Sequence, residues 1–114
     1  MATEIRRMIM EPKEVRTIIS YYSQVEGSPL PRGTVIGFKI ISEAPVKLSV
    51  NLQSKKGDQV QVDMVEHEII SACLSFFLEN KIPVSRKSQK MVKISDGKII
   101  FEMALDQLDI VPTE

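Results

Sequence analysis

The residues best suited to chemistry in this 114-residue chain are basic, and two of them recur in one setting. Arg32 ends the stretch Pro29-Leu30-Pro31-Arg32, and Arg86 ends Pro83-Val84-Ser85-Arg86. An arginine on a loop after a helix can grip a carboxylate or phosphate through two parallel N–H bonds. Beyond Arg86 the chain stays basic. Lys81, Arg86, Lys87, Lys90, Lys93 and Lys98 stand against one acid, Asp96. A patch of this kind suits an acidic protein partner, or the phosphates of a nucleic acid. The stretch carries no aromatic side chain on which bases could stack, and Lys plus Arg balance Asp plus Glu at 15 each. Protein recognition through Arg32, Arg86, Lys87, Lys90 and Lys93 is therefore the leading expectation. A nucleic-acid-binding regulator using the basic hairpin at 81–98 is the alternative. A small-molecule binder or enzyme working at a cleft between the two halves comes third.

Other chemistry is poorly served. The single cysteine, Cys73, lies among Ile69, Ile70, Ala72, Leu74 and Phe76, the setting of a buried small hydrophobe. The single histidine, His67, precedes it by six residues, and on a helix that spacing turns the two side chains to different sides. A Cys–His pair is not expected, nor a metal site, since one His and one Cys cannot complete a ligand shell. The glycine-rich phosphate loops, the nucleophile elbow and the paired-histidine zinc motif are all missing. No cofactor and no enzymatic activity are expected. The start of the chain shows no export or lipidation signal, and no apolar run reaches the roughly 18 residues of a membrane span. The expected location is cytoplasmic, with no membrane partner.

These residues need a frame, and the hydrophobic pattern supplies one. Strands are predicted over 5–10, 35–41, 46–52, 59–62, 91–94 and 99–103. Val46, Leu48, Val50 and Leu52 alternate with polar residues, as in a half-buried strand. Helix one is predicted over 12–26: Pro12 suits a first turn, Val15, Ile18, Ile19, Tyr22 and Val25 share a face, and Gly27 stops it. Helix two is predicted to follow an Asp63 cap and to end at Asn80. It is apolar on more than one side, and Ile70, Leu74 and Phe77 form a second seam. Two helices in so short a chain leave such a seam hard to cover, so it is the expected contact of a homodimer. Asp96-Gly97 marks a hairpin, and 104–114 reads as an acidic tail.

The two helices and their loops align at a spacing of 54 residues. Glu14 falls on Glu68, Val15 on Ile69, Thr17 on Ser71, Pro29 on Pro83 and Arg32 on Arg86. One slip at the turn brings Val46–Val50 onto Ile99–Met103. The expected fold is α+β, one domain of two β-α-β-β units at 5–52 and 58–103. They would form an internal duplication about a pseudo-twofold axis, with two helices on a mostly antiparallel sheet of about six strands.

Overall fold

A computed structural model describes residues 3–106. The elements run β1 (Thr3–Met10), α1 (Pro12–Gln24), β2 (Thr34–Glu43), β3 (Val46–Gln53), β4 (Gln59–Val65), α2 (Glu66–Glu79), β5 (Gln89–Ser95) and β6 (Lys98–Asp106). The fold is α+β, and all strand pairs are antiparallel. The six strands divide into two sheets of three, β1-β6-β5 and β2-β3-β4, where the pattern had suggested one sheet. Exchanging β1 with β4, β2 with β5 and β3 with β6 turns one strand order into the other. Each unit's first strand pairs with the last strand of the other unit.

Burial follows the same exchange. The buried positions of α1 are Val15, Ile18, Ile19 and Ser23, and those of α2 are Ile69, Ala72, Cys73 and Phe77. Each pair is separated by the spacing read in the sequence. On the central strands, Val46, Leu48, Ser49, Val50 and Leu52 are matched by Ile99, Phe101, Glu102, Met103 and Leu105. Even the helix starts agree. The backbone N–H of Glu11 donates to Glu14 Oε1 at 3.0 Å, and that of Val65 to Glu68 Oε1 at 3.1 Å. Each glutamate satisfies an amide that the helix leaves unpaired. One turn later, Thr17 donates to the carbonyl of Lys13 and Ser71 to that of His67, both at 3.0 Å.

The core forms where the inner faces of both sheets meet the paired helices. Period-two alternation sends Val46, Leu48, Val50 and Leu52 inward from β3, and Ile99, Phe101, Met103 and Leu105 inward from β6. Phe77 meets Phe101 edge to face, with ring centroids 5.2 Å apart. Ser23 stands where α2 has Phe77, and the smaller side chain lets the backbone close in. Its hydroxyl shares one proton between the carbonyls of Ser20 at 2.7 Å and Gly33 at 2.8 Å and accepts from the Gly33 N–H at 3.3 Å. A Cβ on Gly33 would lie 2.7 Å from the carbonyl oxygen of Gln53, so this backbone crossing admits only glycine.

Three local expectations change. Asp63 does not cap α2, because the β3–β4 ladder continues through Leu48–Met64 and Lys47–Val65, and Val65 takes the cap position. Asn80 ends α2 as expected, but without the left-handed conformation that commonly closes a helix. Its φ is −93°, its side-chain amide donates to the Phe76 carbonyl at 2.8 Å, and Lys81 turns the chain with φ 57°. β6 runs to Asp106 where the strand was expected to end at 103, and the rest of the acidic tail, 107–114, lies outside the described residues. Asp96 and Gly97 both have positive φ, 51° and 74°, as the tight hairpin requires. Among the described residues no helix is long and apolar enough to cross a membrane.

Candidate functional site

The five basic candidates do not form one patch. β5 alternates its side chains, so Lys90 and Lys93 leave opposite faces of the sheet. Lys93 lies on the outer face, where its ammonium meets Glu102 Oε2 at 3.0 Å. Arg7 Nε reaches Glu102 Oε1 at 2.7 Å from the other side. Strand pairing brings these three together, since Arg7 stands opposite Glu102 on β1–β6 and Lys93 sits diagonally across β5–β6. The Glu102 side chain is 5% exposed, while Arg7 and Lys93 are 57% and 53% exposed. The carboxylate is covered by its own partners lying over it on an otherwise open sheet face. Hydrogen bonds from Lys93 and then Arg7 hold its pKa below the usual carboxylate value. Lys93 is thereby committed within the fold, a role not legible from local pattern because Arg7 and Glu102 are remote in the chain.

Lys90 and Arg86 do share a concavity. With Leu74, Leu78 and Val84 they line a depression of about 300 Å³ between α2 and β5. The loop after α2 and the start of β5 build its charged side. Ser88 fixes that loop by donating its hydroxyl to the Ser85 carbonyl at 2.7 Å, and Lys90 Nζ donates to the Ser88 carbonyl at 2.8 Å. Lys87 is exposed on the same loop. The apolar side is the outer row of α2, whose residues 70, 74 and 78 follow at i, i+4 and i+8. Ile70 and Leu74 are half-buried against the core, and Leu78 is 69% exposed. Phe77, assigned to this seam from the sequence, is only 4% exposed and points inward to Phe101. Leu78 takes its place on the surface row. A helix apolar on more than one side leaves only a narrow polar face from which its rotation can be read, which is why the two were confused.

Arg32 is elsewhere. It lines a second depression of about 530 Å³ beside Gln24, Thr34, Lys55, Lys56 and Asp58. Lys55 and Lys56 read from the sequence as turn residues only; their nearness to Arg32 depends on the crossing of Gly33 over Gln53. Cys73 is buried, and burial pushes its thiol up to about 12, so it is not a nucleophile near neutral pH. His67 is exposed in the first turn of α2, and among the described residues no three His, Cys, Asp or Glu side chains are grouped to hold a metal ion. The chain matches no protein-family model, no curated protein and no solved structure.

Proposed function

We propose that the depression between α2 and β5 recognises an acidic segment of another protein, and that the chain acts as a small non-enzymatic binding module. One observation carries this reading: Arg86 and Lys90 stand beside Leu74, Leu78 and Val84 in one concavity. An apolar floor with cations at its rim matches an aliphatic or aromatic anchor flanked by Asp or Glu. Arg86 supplies a guanidinium fork for a carboxylate, and no described residue pairs with it. The homodimer contact expected at Ile70, Leu74 and Phe77 would, with Phe77 buried, fall on Ile70, Leu74 and Leu78, so a second copy and the partner segment would compete for Leu74 and Leu78. Protein recognition is favoured over nucleic-acid binding because the basic residues diverge. Lys93 is engaged by Glu102, and Lys90 and Lys93 occupy opposite sheet faces, leaving no continuous stripe along a phosphate backbone.

The test is a fluorescence-anisotropy titration with peptides carrying Leu or Phe between Asp and Glu residues. Peptides with Asn and Gln at the acidic positions serve as controls. The acidic set should bind at least about tenfold more tightly, and Arg86→Ala with Lys90→Ala should remove that preference. Equal binding of both sets, or an unchanged preference in the double variant, would overturn the reading. Sedimentation velocity without peptide should give twice the 12.9 kDa chain mass, returning to one chain mass in Leu74→Asp or in saturating peptide.

A further inference from the structure

We infer that the depression at Arg32, Lys55 and Lys56 is a separate binding site for a small oligophosphate, a pyrophosphate or triphosphate group. Three cations face one carboxylate, Asp58, in a concavity of about 530 Å³. None of the three cations forms an ion pair with another described residue. This contrasts with Arg7, Lys93 and Lys98, which are all engaged. A guanidinium fork with two ammonium groups suits the oxygens of adjacent phosphates, where one cation would suffice for a single carboxylate.

Both walls are fixed before any ligand arrives. On one side Gly33 is held between α1 and β3. Ser23 donates to its carbonyl at 2.8 Å, Gln24 Nε2 donates to the same oxygen at 3.3 Å, and the Val35 N–H donates to Ser20 Oγ at 2.9 Å. The backbone that follows Arg32 is therefore anchored. On the other side, Lys55 and Lys56 stand on a closed turn. The Ser54 N–H donates to the Asp58 carbonyl at 2.8 Å, the Gly57 N–H to the Ser54 carbonyl at 2.9 Å, and the Asp58 N–H to Ser54 Oγ at 3.2 Å. A preformed wall lowers the ordering cost of binding.

Another depression, of about 370 Å³ among Glu4, Arg6, Ser85, Ser88 and Met103, makes the contrast: its described cation, Arg6, is met by Glu4 at 3.3 Å.

Isothermal titration with sodium pyrophosphate and tripolyphosphate at constant ionic strength tests the assignment, with sulfate and single-stranded DNA as comparison ligands. Binding should strengthen from sulfate to tripolyphosphate. Arg32→Gln and the double variant Lys55→Gln, Lys56→Gln should each weaken tripolyphosphate by about tenfold or more, while Arg86→Gln leaves it unchanged. All these side chains are exposed, and circular dichroism with a thermal melt checks that the variants keep the fold. No heat with tripolyphosphate at millimolar concentration, or equal affinity in wild type and variants, overturns the assignment. So does DNA binding tighter than tripolyphosphate and lost in the same variants, which would mark a nucleic-acid surface. The peptide titration depends on Arg86 and Lys90, so either site can fail while the other stands.

Discussion

Replacing Gly33 by alanine sets two opposed effects against each other at one backbone position. An added Cβ would lie 2.7 Å from the Gln53 carbonyl oxygen, 3.1 Å from its carbon and 3.4 Å from its nitrogen. Unstrained carbon contacts stand at about 3.5–4.0 Å. All three atoms are backbone of β3, so relief requires moving a central strand or the loop itself. Moving the loop would also break the bonds of the buried Ser23 hydroxyl to Gly33. Overpacking of this kind costs about 1–3 kcal/mol. Against it stands a gain of about 0.4–1 kcal/mol, because alanine narrows the unfolded ensemble. The steric term wins, and the net loss should be about 1–2 kcal/mol. Gly37 on β2 is the control: nothing lies within 4 Å of its added Cβ and its φ is not left-handed, so Gly37→Ala should gain about 0.4–1 kcal/mol. Urea unfolding followed by circular dichroism measures both. A Gly33→Ala protein as stable as wild type would refute the claim that this crossing admits only glycine.

The other predictions follow from burial and charge. Phe77→Ala should lose about 3–5 kcal/mol by emptying the contact with Phe101, while Leu78→Ala, one residue on, should change unfolding by less than about 0.5 kcal/mol. Glu102→Gln should cost about 1 kcal/mol at neutral pH, since its partners stay half in water. The folded pKa of Glu102 is depressed, so its contribution is complete above the unfolded value near 4.5 and fades as pH falls through the folded one. Denaturation midpoints of wild type and Glu102→Gln should thus converge on acidification; a constant gap would count against the triad. With its thiol pushed up to about 12, Cys73 should resist iodoacetamide at pH 8 in the folded protein and react once urea unfolds it. Labelling followed by mass spectrometry reads this directly.

Local pattern carried the elements well where it was unambiguous. The alternation Val46, Leu48, Val50, Leu52 is the buried face of β3, and Asp96-Gly97 is the hairpin turn. It failed at Asp63, where a cap residue was overridden by two further rungs of the β3–β4 ladder. The division into two sheets turns on one pair far apart in sequence, β1 with β6, which periodicity does not report. The basic cluster was legible as composition but not as a surface. Period two separates Lys90 from Lys93, and a carboxylate on the neighbouring strand claims Lys93. Arg32 and Arg86 share a loop motif yet line different concavities, because Lys55 and Lys56 reach Arg32 while Leu74 and Leu78 reach Arg86.

The exchange of terminal strands has a consequence for how the molecule comes into being. β1 pairs only with β6, residue by residue from Thr3–Asp106 to Met10–Ile99. A nascent chain leaving the ribosome therefore carries β1 without a mate until β6 has been synthesised. The β2-β3-β4 sheet, joined by two short hairpins, can assemble long before that. Closing the largest loop in the molecule comes last and carries the largest entropic cost. Until then β1 has both backbone edges open instead of one, with Ile5 and Ile9 beside them, so this protein is most prone to sticking to its neighbours in the interval before β6 arrives.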